Sequence, residues 1–336
     1  MTTPPLLELK NVTKIFGSKT DYTVALDSMT LALEEGFPKI ITIAGESGSG
    51  KTTMGMLLLG FYHPTMGQAL FRGQPISELK GEDRFQYRRE IQAVFQDPFA
   101  VYNPFYKVDN LLSIPIKNFK LAKSKRAARE LMDESLERVG LRPEETLGRY
   151  PHQLSGGQRQ RIAVARALML KPKLLVTDEP VSMVDASLRS TILKSLRALN
   201  QESMTPIFYI THDLTTAYHV SDHIIILYRG SVMEAGNVDK IIREPTHPYT
   251  RLLVSSIPWP DPDLAWGGSE EMIQKSQVAF QKITGCKFAP RCPHKMDICD
   301  TAPPGLFAVS EDRVSSCYLY QQHDVLPREE LTKVFA

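Results

Sequence analysis

Residues 45 to 52 read Gly-Glu-Ser-Gly-Ser-Gly-Lys-Thr, the spacing G-x-x-x-x-G-K-[ST]. Glycines at these positions let a backbone curl until several N–H groups face one oxyanion. A helix that begins at the lysine adds the positive end of its dipole. Lys51 would then reach the β- and γ-phosphates of a nucleotide, and the Thr52 hydroxyl would ligate Mg²⁺. Taken alone, the same residues make a flexible glycine turn. The apolar run KIITIA before them and TTMGMLLLG after them supply the strand–loop–helix setting that a phosphate cradle requires.

A second apolar run, KPKLLVTDEP (171 to 180), ends in two carboxylates. Asp178 is placed to hold Mg²⁺ through water, and Glu179 to orient or deprotonate an attacking water. Two acids after a strand are common in exposed loops; pairing with the phosphate loop makes these two candidates for catalysis. Two more strand ends carry polar side chains: IQAVFQDP reaches Gln96 and PIFYITHD reaches His212. Parallel sheets bind ligands beyond the carboxyl ends of their strands. Gln96 is therefore expected at the metal or the water, and His212 at the γ-phosphate.

Residues 153 to 170, QLSGGQRQRIAVARALML, form another helix entrance. Ser155 is a natural N-cap, Gly156 and Gly157 leave the first turn open, and Ile162, Ala165, Arg166 and Met169 recur at helical spacing. An ordinary Ser-capped helix has the same features. One nucleotide needs only one γ-phosphate cradle, so a second cradle would serve a nucleotide held by another chain. The remaining chemical cluster lies in the tail. All four cysteines, Cys286, Cys292, Cys299 and Cys317, fall there in the spacing C-x5-C-x6-C-x17-C. In a reducing cytosol disulfides are disfavoured, and the paired C-x2-C knuckles of a zinc ribbon are absent. Four thiolates without close pairing suit a four-cysteine iron–sulfur cluster. Zinc and free structural thiols are the alternatives.

These groups need a scaffold. The chain has 336 residues, long enough for two domains or one large domain with additions. It is 42% hydrophobic and 23% charged with a formal charge of +2, so no basic excess points to nucleic acid. The opening MTTPPLLELK lacks the regions of a signal peptide. The longest apolar runs, such as HIIILY, are strand-sized, whereas a span needs about 20 apolar residues. A cytosolic chain that meets a membrane through a partner is expected. SKRAARELMDESLERVG (124 to 140) reads as a helix capped by Ser124, stopped by Gly140, with Ala127, Leu131, Leu136 and Val139 on one face. DHIIILYRGSVMEAG reads as a hairpin turning at Arg229-Gly230, and IPWPDPDLAWGGS (257 to 269) as a boundary between domains.

LSGGQ at 154 to 158, with the phosphate loop before it and LLVTDEP after it, resembles the ATPase subunits of ATP-binding cassette (ABC) transporters over roughly residues 6 to 250. The resemblance implies an α/β fold: a P-loop NTPase (RecA-like) core with an antiparallel β subdomain, an inserted helical subdomain and a small C-terminal extension. It implies a nucleotide-binding domain over 1–256, its helical subdomain at about 98–160, and the extension over 257–336. It assigns phosphate binding to Gly45, Ser47, Gly48, Ser49, Gly50, Lys51, Thr52 and Thr53, with Mg²⁺ at Thr52, Gln96 and Asp178. Glu179 becomes the catalytic base, with His212 and Gln96 beside it. Phe16, or else Tyr22, stacks on adenine. Ser155, Gly156, Gly157 and Gln158 close over ATP bound to a second subunit in a head-to-tail dimer. Ser182-Met183-Val184-Asp185 departs from the family's usual S-A-L-D but keeps Asp185 for the dimer. The aromatic segment DPFAVYNPFYKV (97 to 108) lies where a membrane subunit's coupling helix docks, or else packs locally.

His247-Pro248-Tyr249-Thr250, followed by the four-cysteine tail with Arg291-Cys292-Pro293, is similar to the ATPases of dipeptide and oligopeptide importers. The linker QVAFQKITGC departs from that family's proline-rich run. The likeness implies peptide import, two transmembrane permease subunits, an extracytoplasmic binding protein, a peripheral location on the cytoplasmic side of the membrane and a [4Fe–4S] cluster. PTMG with RREIQAVFQDP resembles the second of two paralogous ATPases, so a heterodimer is expected. Oligosaccharide or nickel cargo, and a soluble non-transport ABC ATPase, are the alternatives. The phosphate loop, some 240 residues upstream of the cysteines, is expected to bind ATP whatever the state of the tail.

Overall fold

The computed structural model describes residues 4–18, 21–97, 102–182, 184–257 and 284–335. Met183, residues 98–101 of the aromatic segment, residues 258–269 of the expected boundary and the linker residues 277–283 lie outside the described residues. Along the chain the elements are β1 (Leu7–Gly17), β2 (Tyr22–Leu33), β3 (Ile40–Ala44), α1 (Lys51–Leu58), β4 (Met66–Phe71), β5 (Gln74–Pro75), α2 (Gly81–Glu90) and β6 (Ile91–Val94). There follow α3 (Val108–Asn118), α4 (Lys125–Glu137), α5 (Pro143–Thr146), α6 (Gly156–Leu168), β7 (Leu174–Asp178), α7 (Ala186–Ser203), β8 (Ile207–Ile210), α8 (Leu214–Val220), β9 (His223–Tyr228) and β10 (Ser231–Asn237). Helices α9 (Val238–Arg243) and α10 (Pro248–Ser255) precede the tail strands β11 (Leu306–Ser310), β12 (Arg313–Ser315) and β13 (Val325–Leu326). The chain divides into two units: Met1–Glu34, Ile41–Glu78 and Thr211–Ala336 form one, and Glu35–Ile40 with Leu79–Ile210 the other.

In the first unit, β3 is buried at all five positions, as a parallel strand covered on both faces must be. It pairs in parallel with β9, Ile41 opposite His223 and Ala44 opposite Ile226. β9 and β10 form the expected hairpin, Ser231 opposite Tyr228. Arg229 (φ 46°) and Gly230 (φ 78°) both take positive φ at its turn, the backbone twist that suits tight hairpins. The tail then lengthens this sheet: β12 pairs with β10, β11 with β12, and β13 with β11, all antiparallel. A second, antiparallel sheet runs β2-β1-β4-β5. The last 3-10 segment, Arg328–Phe335, closes against β2, where Thr332 Oγ1 accepts from the Ala32 N–H at 3.2 Å and Phe335 is fully buried.

The tail therefore does not rely on its own apolar content. Phe288, Ala289, Cys286 and Cys299 share one buried cluster with Tyr249, Tyr228, Ile226, Val238 and Ile241. The segment shares the core of β9, β10 and the helices that follow them.

In the second unit, β8, β7 and β6 lie side by side in parallel. Ser124 caps α4 as expected, its Oγ accepting from the Ala127 N–H at 3.1 Å. Gly140 stops that segment at φ 70°. Leu136 and Val139 are buried, Ala127 and Leu131 half-buried. Among the described residues, no helix is long and apolar enough to cross a membrane.

Candidate nucleotide-binding site

The phosphate loop lies in the first unit. β3 delivers the chain to Gly45, and α1 begins at Lys51 with Gly50 at its N-cap. No side chain caps α1, and its first turn holds no acid. Its leading N–H groups and dipole are thus left to an anion. Gly45, Gly48 and Gly50 take φ of 151°, 76° and 104°, where side chains are strained. A Cβ at Gly45 would stand 2.2 Å from the Leu227 carbonyl oxygen, and one at Gly50 would stand 2.3 Å from that of Ala25. At Gly48 nothing lies within 4 Å, so the open side of the loop is there. Lys51 is buried and folded over the loop, its Nζ donating to the Gly45 and Glu46 carbonyls, each at 2.8 Å. Ser49 is buried, Ser47 and Thr52 are exposed and Thr53 is half-buried.

His212 belongs to the same unit. The Thr211 N–H donates to the Ile43 carbonyl at 3.2 Å, which sets the exposed His212 beside the strand that feeds the loop. Asp213 caps α8 immediately after it. Phe16 stands near the end of β1, 37% exposed, with the Tyr62 ring edge-on at 5.3 Å and Lys14 Nζ above both rings. Tyr22, the alternative, is exposed opposite Gly17. The two rings and the cation form an exposed aromatic cluster. Sequence reasoning missed Tyr62, which no motif marks.

The second unit carries the carboxylates. Asp178 ends β7, in register with Ile210 of β8. Glu179 follows in a left-handed conformation, φ 47°. Its N–H donates to the Ile210 carbonyl at 2.9 Å, and its own carbonyl accepts from Ser182 Oγ at 3.0 Å and the Ser182 N–H at 3.2 Å. Gln96 is exposed just past β6, whose Val94 pairs with Thr177. The signature helix α6 is tied to this loop. Gln160 Nε2 donates to the Phe95 carbonyl at 3.1 Å, and Tyr102 Oη donates to that of Arg159 at 2.7 Å. Burial pushes the Tyr102 hydroxyl well above its ordinary pKa, so it stays a donor. Ser155 and Gln158 form a reciprocal cap. Ser155 Oγ accepts from the Gln158 N–H at 3.2 Å, and Gln158 Oε1 accepts from that of Ser155 at 2.9 Å. Gly156 is half-buried and Gly157 buried behind this cap. Asp185 stands exposed at the N-cap of α7. The hard oxygen donors expected for Mg²⁺, Thr52 and Asp178, are of the right chemical type for that ion.

In the tail, His247 caps α10 through Nδ1, which accepts from the Tyr249 N–H at 3.0 Å. Glu234 of β10, fully buried, accepts from the Thr246 N–H and hydroxyl and from the His247 N–H at 2.7–3.0 Å. The His-Pro-Tyr-Thr motif is thus a structural clasp on Glu234. Burial drives His247 from the ordinary 6.5 to about 3.

The expectation of a ready four-cysteine metal site needs correction. Among the described residues, no group of three or more His, Cys, Asp or Glu is arranged to hold a metal ion. Cys286, Cys292, Cys299 and Cys317 do converge. Burial raises the thiol pKa of Cys286, of Cys292 and of Cys317, the last to about 11, and the neighbouring cysteines raise each further. Buried cysteines pack as small apolar groups, and Cys286 and Cys299 do so within the shared core. Metal binding would require them to deprotonate and turn together. A single zinc needs sulfurs about 2.3 Å from one point; a cubane spreads its four thiolates over four irons. Four thiols are of the right chemical type for such a cluster, but among the described residues they are not arranged around a metal.

Residues 26–182 match the family described as ABC transporter, and residues 233–299 match that described as Oligopeptide/dipeptide transporter, C-terminal region. YkfD of Bacillus subtilis, named as an oligopeptide transport ATP-binding protein, is 38% identical over 320 residues, spanning 94% of this chain and 96% of YkfD. OppF of Escherichia coli, an oligopeptide transport ATP-binding protein, is 35% identical over 287 residues, 85% of each chain. The structure of the ATP-binding cassette MJ0796, dimeric and bound to ADP and Pi, superposes with a TM-score of 0.62 at 31% identity, covering 69% of this chain and 98% of MJ0796. With the phosphate loop, paired carboxylates and capped signature helix in the fold of that cassette, this chain belongs to the ABC transporter ATPases that carry the oligopeptide/dipeptide transporter C-terminal region.

Proposed function

We propose that this ATPase powers import of di- and oligopeptides, sandwiching ATP in a head-to-tail dimer. The observation that carries ATP use is the uncapped, acid-free entrance of α1 behind Gly48 and Lys51. Peptide cargo is favoured by the match at residues 233–299 and by the names of YkfD and OppF. A dimeric ATPase and transmembrane permease partners follow from family membership. We read the second ATPase as a paralogue, the site as peripheral on the cytoplasmic face, and the cargo as delivered by an extracytoplasmic binding protein. Mg²⁺ at Thr52, Asp178 and Gln96 would neutralise phosphate charge. Lys51 and the loop's N–H groups orient the phosphates, Glu179 takes the proton of the attacking water, and His212 faces the γ-phosphate. Phe16 stacks on the base. Ser155, Gly156, Gly157 and Gln158 cover the partner's nucleotide. In the tail, Cys286, Cys292, Cys299 and Cys317 are read as ligands of a [4Fe–4S] cluster.

Reconstitution with the permease pair and binding protein in vesicles tests the reading. Peptide-loaded binding protein should stimulate ATP hydrolysis and peptide uptake together. Uptake of an oligosaccharide or nickel instead would move the motor to another cargo; hydrolysis indifferent to the permease would remove it from transport.

A further inference from the structure

Glu46, inside the phosphate loop, is held at every polar group by something specific. Its carboxylate accepts from Arg291, Nη1 to Oε2 at 2.8 Å and Nη2 to Oε1 at 2.9 Å. Its N–H donates to the Tyr249 hydroxyl at 2.8 Å. Its carbonyl accepts from Lys51 Nζ at 2.8 Å and from the Ser49 N–H at 3.1 Å. Two of these partners come from the C-terminal region, and one is the lysine that meets the phosphates.

We propose that Arg291 is a positioning residue for the phosphate loop, holding through Glu46 the loop shape that receives the triphosphate. The arginine is prepared for this. It ends the 3-10 turn Ala289–Arg291, with its N–H donating to the Phe288 carbonyl at 2.9 Å. Its guanidinium lies 5.5 Å from the centre of the fully buried Phe288 ring and 5.7 Å from that of Tyr228, with its side chain 9% exposed. A planar fork fixed between aromatic rings meets a carboxylate with little further loss of freedom. Cys292 is the next residue, so whatever orders the cysteine segment also orders the fork. Glu46 itself lies in a loop whose glycines supply no side-chain packing, so its shape depends on such ties.

The inference rests on this loop's being the ATP site, and Lys51→Ala checks that separately: it should abolish ATP binding by the full chain. Arg291→Gln and Glu46→Gln should each raise the ATP Kd about tenfold, the factor carried by a charge-assisted hydrogen bond. The double variant should be no worse than either single one. In the assembled transporter the KM for ATP should rise while kcat at saturating ATP stays within about twofold. Arg291→Lys should recover only part, because a lone ammonium lacks the fork. Bare charge predicts a different pattern: removing the Glu46 charge beside a triphosphate tightens binding. Glu46→Gln binding ATP as tightly as the parent or better would overturn the proposal, as would losses that add in the double variant. Should Arg291→Gln unfold the tail in a thermal melt, Glu46→Gln, which lies outside the tail, decides alone.

Discussion

Glu179 keeps a left-handed backbone (φ 47°) that a non-glycine residue rarely adopts. Such a conformation costs of order 1–3 kcal/mol and persists where surrounding bonds over-determine it. Here the Ile210 carbonyl and Ser182 do so through main-chain atoms of Glu179. These ties run through the main chain, which a Gln side chain of the same shape leaves in place. Glu179→Gln should fold and bind ATP normally, yet lose at least the ~10²-fold typical of removing a general base. Near-parental ATPase in the assembled complex would take Glu179 out of that role. Most of the site was legible at this scale, because the chemistry of Gly45 to Thr53 and of Asp178–Glu179 is written within a few consecutive residues. Arg291 was not. Its partner Glu46 lies 245 positions away, and a single charge before a cysteine carries no signal of what it meets. Tyr62 and Glu234 escaped for the same reason.

At the level of elements, the signature helix uses its side-chain caps on itself. Ser155 and Gln158 satisfy each other's backbone, while the exposed face of Ser155 remains open. Ser155→Arg should therefore weaken the α6 cap by about 1 kcal/mol, leave ATP binding to this chain's own loop intact, and impair hydrolysis at the partner's nucleotide. Loss of binding in the same chain would sink the shared-site arrangement. The clasp around Glu234 makes a pH prediction. His247 has its pKa lowered by burial from 6.5 to about 3, so the unfolded chain binds the proton more tightly. The stability it contributes is complete above pH 6.5 and is lost as pH falls toward 3. Glu234, raised by burial, works in the opposite direction, so comparison with His247→Asn isolates the histidine. Between pH 6.5 and 5 the parent should lose about 2 kcal/mol more than His247→Asn in denaturant titrations. Equal slopes would refute it. Runs such as IITIA, LLVTD and HIIILY and the Arg229-Gly230 turn made the central strands readable. β11, β12 and β13 were not, since strands of two to five residues carry almost no period and become strands only by adding to β10.

On the scale of the whole molecule, the first unit makes the tail and the nucleotide loop parts of one packed body. Phe288 and Cys286 share a core with Tyr249, and Tyr249 holds the Glu46 N–H. The sequence placed the cysteines some 240 residues from the loop and implied independence; the fold brings the tail and the loop into contact at Glu46. This changes what a cysteine variant should do. Protein purified without oxygen should be brown and carry about four irons and four sulfides per chain if a full cubane is bound. Cys292→Ser should then lose the cluster and loosen the segment after about residue 285. Arg291, one residue earlier, should lose its fixed fork, and ATP affinity should fall by about the tenfold assigned to the Arg291–Glu46 pair. Cluster loss with unchanged ATP affinity would separate the metal from the loop and leave Arg291 ordered by the core around Phe288 alone. One tightly held zinc without acid-labile sulfide would replace the cubane by a single ion, which demands that the four sulfurs close around one point. Four thiols that react with an alkylating reagent only after unfolding, in anaerobic protein free of both metals, would instead mean that the cysteines serve the tail by packing, as Cys286 and Cys299 do in the shared core.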